Sequence, residues 1–469
     1  MLPPADAASW TRDAAAHLLG RAGFGATPLE VESTWKLGRA RAIAALFVPP
    51  PPGPELQLAS AEPEATPRAD VLTMTPQERE TLKRQIQQQN RLDLEKIRGW
   101  WIGQMVNPPS AVLEKATLFW HGHFATSVQK VKSAAVMWQQ NQLLRKFAFG
   151  NFRDLVKAIS CDPAMVVWLD LQQSRNGAPN ENFARELMEL FTLGIGHYSE
   201  DDIKNSARAF TGYRTRLRQA KFDYIEQQHD DSDKVFMGKK GRFSGDDIID
   251  IIFEQPACAE FICTKLWTFY AYEEPEPVLI GSLAHTLRQA NYEIRPVLME
   301  MFGSKAFYRD KAMATQIKSP VQLIAQTCRT LECNPPPSFA LQFIMRSLGQ
   351  MLLAPPNVKG WDGNRSWINT ATLASRIQFT DSLAGVGTVE KQRGFAGNLP
   401  LEKLVTDEML NDCVKLIDGF TFRLLDAPID QSTRADLIAD AEKYSKPLSR
   451  TAVKEALAKV MRLPEFQLV

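Results

Sequence analysis

The stretch that decides the fold runs from Pro179 to His197 and reads P-N-E-N-F-A-R-E-L-M-E-L-F-T-L-G-I-G-H. Asn180 is placed to cap the start of a helix, and Gly194 and Gly196 are placed to end it. At about 100° per residue, the apolar side chains fall on one stripe of this helix, namely Phe183, Leu187, Leu190 and Phe191. The stretch therefore predicts an amphipathic helix that packs on an apolar core.

Two carboxylates lie on the same predicted helix. Glu186 falls at the edge of the apolar stripe, between Leu190 and Leu193, and Glu189 lies one turn further on. A carboxylate at the edge of a core has to be paired, hydrogen-bonded or used in chemistry. Glu186 and Glu189 are therefore candidate functional residues.

The composition is that of an ordinary globular protein. The chain has 469 residues, enough for one very large domain or two to three smaller ones, with 44% hydrophobic and 23% charged residues. Lys+Arg 55 against Asp+Glu 54 gives a formal net charge of +1, so nucleic-acid binding has no support from charge. No apolar run reaches about 18 residues, so we expect no membrane span.

Helix-start signals recur along the chain. Proline or an acidic residue follows a Ser or Thr cap within three residues at Thr27, Thr75, Ser199, Ser244 and Ser319. Alternating apolar and polar residues are scarce, so the sequence predicts a mainly α protein. We divide it into a helical core over 1–390, with a proline-rich linker or loop at 48–70 and a small β-hairpin insertion at 213–243, and a helical tail over 391–469.

Two short patterns predict local structure without chemistry. Gly23 and Gly25 flank Phe24 before a capped helix, which favours a tight turn with one anchored aromatic ring. The six cysteines are too few for a disulfide framework in a chain of this length, and their C-x4-C pairs lack the C-x2-C spacing of a zinc site. We expect Cys258 and Cys263 to be buried thiols in an apolar helix.

Several longer blocks resemble the DUF1800 family of bacterial proteins. They are F-W-H-G-H-F-A-T-S, G-N-F-R-D-L, the opening stretch with its following tyrosine, A-R-A-F-T-G-Y, F-S-G-D-D-I-I-D-I-I, K-L-W-T-F-Y and P-P-N-V-K-G-W-D-G-N-R-S-W-I-N-T, and they span roughly 13–380. Tyr213 stands where the family pattern leads us to expect tryptophan. The resemblance implies no agreed catalytic residue, but it implies a DUF1501-type protein as a genomic neighbour and possible partner.

Histidines predict a metal site. The motif H-G-H places His121 and His123 two residues apart, and Glu186, His197 and His229 are further candidate ligands. Imidazoles together with a carboxylate suit zinc or non-haem iron. The alternative is that both histidines of the motif only form hydrogen bonds to the helix that carries Glu186 and Glu189.

Metal-free hydrolysis of a glycan is a second alternative. Glu186 in a partly apolar setting would have a raised pKa and serve as general acid, with Asp170, Asp230 or Asp231 as the partner carboxylate. The sugar rings would stack on tryptophans, for which the candidates are Trp120, Trp168, Trp361 and Trp367. A tryptophan in a helical run is more often part of the core.

Two loops combine charge with other polar groups. The loop over 229–242 mixes acidic and basic residues around two glycines, but it has no P-loop pattern, so a solvated loop is favoured over phosphate binding. The segment 357–369 is polar and aromatic together, which favours a site or a partner surface. Its candidate residues are Asn357, Lys359, Trp361, Asp362, Arg365, Trp367 and Asn369.

The predicted site is a pocket at which the 118–127 segment, the 180–197 helix and the 357–369 loop meet. We predict an enzyme-like pocket with a divalent metal, and the competing class is a non-catalytic scaffold that binds a DUF1501-type neighbour. The first ten residues, M-L-P-P-A-D-A-A-S-W, have neither a basic nor an apolar signal-peptide region. This predicts the cytoplasm, with export into the periplasm alongside a partner as the alternative.

Overall fold

The computed structural model describes residues 1–49, 56–59, 74–107, 111–386, 395, 397 and 399–469. These residues form a mainly α-helical protein with two small antiparallel sheets, as the sequence predicts. Most of the proline-rich 48–70 segment and the boundary predicted at 390 lie outside the described residues.

The helices before residue 190 follow the predicted start signals. Thr27 and Thr75 each accept a hydrogen bond from the backbone of the third helical residue, and the glutamate at that position bonds back to the cap. The helices are α1 (Arg12–Ala22), α2 (Pro28–Leu37), α3 (Arg39–Leu46), α4 (Pro76–Val106), α5 (Ala111–His123), α6 (Val128–Val131), α7 (Ala134–Lys146), α8 (Phe152–Ser160), α9 (Pro163–Trp168) and α10 (Glu181–Glu186).

The opening stretch departs from a regular α-helix. Asn180 caps α10 as predicted, but from Leu187 to Thr192 the backbone continues as a π-helix. The amides of Leu193 and Gly194 both donate to the carbonyl of Met188, at 2.8 and 3.0 Å. The wider turn brings Met188 into the core beside the predicted apolar stripe, which a strict α-helical projection does not predict.

The later helices complete the α structure. Ser199 and Ser244 form capping boxes, and Ser319 caps its helix, as predicted. The helices are α11 (Glu200–Ala209), α12 (Gly245–Glu254), α13 (Pro256–Tyr270), α14 (Pro277–Gln289), α15 (Ile294–Gly303), α16 (Pro320–Thr330), α17 (Ser338–Leu348), α18 (Thr370–Ala384), α19 (Leu401–Leu404), α20 (Asp407–Asn411), α21 (Cys413–Leu424), α22 (Gln431–Ala441) and α23 (Arg450–Met461).

The predicted β insertion consists of two short hairpins. The strands are β1 (Tyr213–Arg216), β2 (Lys221–Tyr224), β3 (Lys234–Phe236) and β4 (Lys239–Gly241). β1 pairs with β2 and β3 pairs with β4, both antiparallel, with Tyr213 opposite Tyr224 in the first hairpin. Tyr213 is buried against Phe210, so an aromatic ring fills the place where the family pattern suggests tryptophan.

The buried apolar side chains form two large clusters, and α5 contributes to both. Trp120 of α5 belongs to the first cluster, with Phe183 of the opening stretch and Trp267 of α13. Leu118 of α5 belongs to the second, which also holds Ile417 of α21 and other residues of the predicted tail. α5 therefore lies where the two clusters meet, and a cavity opens beside it. Among the described helices, none is both long and apolar enough to cross a membrane.

Candidate functional site

A cavity of about 450 Å³ lies where the three predicted segments meet. We call it the lysine cavity. Phe119, Gly122 and His123 of α5 form one part of its wall, Leu190 of the π-helix another, and the 357–369 loop a third. The three segments are therefore brought together as the sequence predicted. The predicted residues in the lining are His123, Lys359, Trp361, Asp362 and Trp367, whereas the predicted catalytic carboxylates are not part of it.

The lining combines cationic, amide and aromatic side chains. Three lysines face the cavity, from α5, α13 and the loop: Lys115, Lys265 and Lys359. Its acidic lining residues are Glu273 and Asp362. The neutral polar lining comprises Thr264, Thr268, Gln316, Ser319, Gln322, Gln350 and Asn364, and the aromatic lining comprises Phe119, Phe269, Trp361 and Trp367.

Lys115 lies at the buried side of the cavity and is only 7% exposed. Its Nζ donates a hydrogen bond to Oε1 of Gln322 and lies 5.2 and 5.3 Å from the ring centroids of Phe24 and Phe269. Burial, and secondly the positive charge of Arg21, lowers the pKa of Lys115 to about 7. The amine is therefore close to half neutral at neutral pH.

A chain of side-chain amides fixes the partner of Lys115. Nε2 of Gln322 donates to Oε1 of Gln326 at 2.8 Å and to the Gly20 carbonyl at 3.3 Å. Nε2 of Gln326 in turn donates to Oδ2 of Asp426 at 3.0 Å. Because each amide nitrogen is committed to these acceptors, Gln322 presents its oxygen to Lys115.

The other two lysines make this part of the cavity cationic. Burial, and secondly the charge of Lys359, lowers the pKa of Lys265 below its ordinary value. Lys359 is exposed and donates to Oδ1 of Asp362 at 3.0 Å. In the part of the chain that the structure describes, no carboxylate forms an ion pair with Lys115 or Lys265.

The 357–369 loop is held against the end of α5. Oδ1 of Asn357 accepts the backbone N–H of Lys359 at 2.9 Å, and Gly360 has φ +87°. A Cβ at Gly360 would lie 2.5 Å from the Gly122 carbonyl oxygen, so the close approach requires glycine there. Asn369 caps α18 and is not part of the cavity lining.

The remaining predicted loop residues divide between the cavity and solvent. Trp361 and Trp367 line the cavity, and Trp367 is buried. Arg365 is exposed and is not part of the lining.

The two histidines of H-G-H turn to different partners. Nε2 of His121 accepts the backbone N–H of Leu353 at 3.0 Å, whereas Nε2 of His123 lies 3.0 Å from the carbonyl oxygen of Phe191 and donates to it. Burial is the main cause that lowers the pKa of His121 to about 4 and that of His123 to about 3. Both rings are therefore neutral at neutral pH, and only His123 bonds to the helix that carries Glu186.

The predicted catalytic carboxylates lie outside the cavity lining. Glu186 is half-buried, and burial, followed by the charge of Glu189, raises its pKa, in the direction that the sequence indicated. Glu189 accepts the hydroxyl of Tyr198 at 3.0 Å. Asp170 is bound by Nζ of Lys130 at 2.7 Å, so it is an ion-pair partner in this structure.

The five predicted metal ligands are not brought together. His197 is exposed, and Nδ1 of His229 lies 3.0 Å from the Thr211 carbonyl beside the β hairpins. Among the described residues, no group of three or more His, Cys, Asp or Glu side chains is placed to hold a metal ion. A bound zinc or iron thus stays a prediction. The ligand set predicted for it does not form one site in the structure, namely His121, His123, Glu186, His197 and His229.

The charged loop over 229–242 finds partners for its charges on α11 and within the loop. Arg208 donates to Oδ2 of Asp230 at 2.8 Å, and Nζ of Lys234 donates to the carbonyls of Asp230 and Ser232. The sequence favoured a solvated loop over phosphate binding, and in the structure these charged groups have partners within the protein.

Sequence reasoning identified Lys359 but overlooked Lys115, Lys265 and the glutamines of the cavity. A signal for two of them was present, because Lys115 and Lys265 each interrupt an apolar helical run, A-V-L-E-K-A-T-L-F-W and F-I-C-T-K-L-W-T-F-Y. A lysine in such a run is either paired, neutral or in contact with a ligand. Gln322 carries no comparable signal, since glutamine is common in helices.

The fold and site define a mainly α-helical protein with a cationic, aromatic-walled cavity between two apolar clusters. The family model described as "Protein of unknown function (DUF1800)" matches residues 17–468, nearly the whole chain. The chain therefore belongs to the DUF1800 family. No curated protein and no solved structure matches it.

Proposed function

We propose that this chain is an enzyme-like protein that binds a small organic anion with a planar group in the lysine cavity. The observation that carries the proposal is the convergence of Lys115, Lys265 and Lys359 on one cavity. The proposal keeps the pocket predicted from the sequence, but it assigns contact with the ligand to these lysines instead of to His123 and Glu186.

Charge favours an anionic ligand. Lys115 is removed from water without an acidic partner in the described residues, and burial disfavours its charged form. Lys265 is exposed, and it too forms no ion pair with a carboxylate of the described residues. A bound carboxylate or phosphate would supply the missing counter-charge and accept their N–H groups. Charge-assisted hydrogen bonds of this kind are roughly twice as strong as neutral ones.

The wall of the cavity favours a planar group beside the anion. Trp361 and Phe269 present aromatic surface to the same space as the lysines. Mostly apolar walls with a few convergent polar groups are typical of sites for small molecules. The cavity volume of about 450 Å³ also falls within the usual range for such sites.

The other three functions depend on groups other than the lysines of this cavity. Metal-dependent catalysis would need ligands beyond the set predicted here, and glycan hydrolysis would need Glu186 and Asp170 to act together outside the lysine cavity. Docking of a DUF1501-type protein stays a prediction from the family resemblance. None of the three draws on the cluster of lysines, which is why we favour ligand binding.

A charge series of ligands tests the proposal. We expect benzoate to quench tryptophan fluorescence and to raise the thermal unfolding temperature, and we expect benzamide and benzylamine to bind at least about tenfold more weakly. The reason is that only benzoate pairs with the ammonium groups. Equal binding of the neutral or cationic analogue would refute the proposal.

A matched pair of variants locates the effect. Lys265→Gln removes one cationic group of the cavity, and we expect it to weaken benzoate binding about tenfold, the loss of one charge-assisted hydrogen bond. Lys130→Gln is the control, because Lys130 pairs with Asp170 outside the cavity. The proposal fails if both variants bind benzoate as the unmodified protein does.

A further inference from the structure

We infer that Lys115 is a nucleophile that forms an imine with the carbonyl group of the bound molecule, so that the ligands of this cavity are anionic aldehydes or 2-oxo acids. The inference rests on the proposed function, because it uses the same cavity. It goes further by naming the reacting atom, Nζ of Lys115, and the functional group of the ligand.

The amine has access to a ligand in a setting that excludes most water. Nζ of Lys115 belongs to a side chain that lines the cavity, and two aromatic rings, those of Phe24 and Phe269, lie close to it. Lysines that attack carbonyl groups are activated by desolvation in an apolar pocket or by a neighbouring cation. Here Arg21 is the neighbouring cation, and the two aromatic rings contribute to the desolvation of the amine.

The partner of the amine leaves its lone pair free. Gln322 is held by the Gly20 carbonyl and by Gln326, so its oxygen accepts one N–H from Lys115. A carboxylate in that position would stabilise the ammonium form of the lysine, which has no lone pair. The neutral amide oxygen of Gln322 carries no such charge and accepts an N–H from a neutral amine equally well. A neutral amine can therefore donate to Gln322 and still attack a carbonyl carbon.

The cations near Lys115 disfavour its ammonium form, and the nearest acids of α5 and of the amide chain are bound by other groups. Arg21 lies on α1 and disfavours the ammonium form, and Lys265 on α13 adds a second cationic group to the cavity lining. The neighbouring acid on α5, Glu114, is bound by both Nε and Nη2 of Arg145, at 2.9 and 2.7 Å. Asp426 is separated from Lys115 by the two amides of the chain.

The chemistry balances without an oxidant or reductant. The lone pair of Nζ forms a bond to the carbonyl carbon, the nitrogen loses a proton to solvent, and the carbonyl oxygen takes up a proton to give a carbinolamine. The carbinolamine hydroxyl then takes up a second proton and leaves as water while the nitrogen lone pair forms the carbon–nitrogen double bond. The nitrogen finally releases its remaining proton to solvent, which leaves the imine. Lys265 and Lys359 are placed to hold the anionic group of the ligand during this step.

Reductive trapping on the full chain tests the inference. The probe is 4-carboxybenzaldehyde at neutral pH with cyanoborohydride, which reduces the imine to a stable secondary amine that peptide mass spectrometry assigns to one lysine. We expect Lys115 to be labelled at least about tenfold faster than Lys130, because its neutral fraction is much larger. We also expect benzoate to protect Lys115, and benzaldehyde to label it more slowly.

Two variants sharpen the test. Gln322→Glu keeps the size of the side chain but places a carboxylate beside the amine, so we expect labelling of Lys115 to fall about tenfold or more. Lys115→Met should abolish labelling at this position. Benzoate protection in the unmodified protein provides the test if either variant does not fold.

The outcomes separate the inference from the proposed function. If benzoate binds but Lys115 is labelled no faster than Lys130, the imine inference is wrong and anion binding stands. If benzoate does not bind and labelling is spread over exposed lysines, both are wrong.

Discussion

Replacing Lys115 by methionine should change how the stability of the protein depends on pH. The pKa of Lys115 is about 7 in the folded chain, against about 10.4 for an unperturbed lysine. Between these values the unfolded chain binds more protons than the folded one, so the free energy of unfolding rises with pH. From pH 7 to pH 9 the unmodified protein should gain about 2 kcal/mol relative to Lys115→Met.

Urea unfolding of both proteins at pH 7 and pH 9, followed by tryptophan fluorescence, measures this difference. The other titrating groups are common to both proteins, so their contributions cancel in the comparison. The unpaired oxygen that the variant leaves at Gln322 lowers its stability by the same amount at both pH values. A stability difference that does not change between pH 7 and pH 9 would show that Lys115 is not held largely neutral, and it would remove the energetic basis of the imine inference.

Three further substitutions test the construction of the site and its supports. Gly360→Ala puts a methyl 2.5 Å from a backbone oxygen of α5, and we expect it to weaken benzoate binding about tenfold. Gly363→Ala is the control, because Gly363 has a similar φ but open space around its Cβ. We expect the Gly363→Ala protein to bind benzoate more tightly than the Gly360→Ala protein. Arg145→Met leaves the buried Glu114 carboxylate unpaired and should cost about 3–5 kcal/mol in urea unfolding; a smaller loss than about 1 kcal/mol would contradict this. Burial raises the pKa of Asp162 to about 7, so the folded chain binds more protons than the unfolded chain at pH 5. Relative to the Asp162→Asn protein, the unmodified protein should therefore lose about 2 kcal/mol of stability as pH rises from 5 to 7. A stability difference between the two proteins that is the same at both pH values, in thermal or urea unfolding, would contradict this.

The helices and their starts were predictable from local sequence. Capping depends on residues three apart in the chain, so Thr27, Thr75, Ser199 and Ser244 could be recognised without a structure, and all four form capping boxes. The π-helical turn at Leu187 could not, because its extra residue per turn is stabilised by packing of Met188 and Thr192 against distant parts of the chain.

The candidate site was predictable in place and not in chemistry. The segments 118–127, 180–197 and 357–369 do meet at one cavity, as the clustering of polar and aromatic residues indicated. The two histidines do not face one common site, because His121 and His123 bond to different backbone groups. Which way two neighbouring rings turn depends on partners more than sixty residues away, and one sequence does not reveal them.

The sequence by itself determined that this is a mainly α-helical protein of the DUF1800 family, because caps, apolar stripes and family blocks are properties of residues close together in the chain. Only the tertiary structure decided that Lys115, Lys265 and Lys359 share a cavity and that Lys115 is held close to neutrality. Burial, nearby cations and the orientation of Gln322 set that pKa, and each depends on helices brought together by folding. The charge of a lysine can be read from the sequence, but its loss in the folded protein cannot.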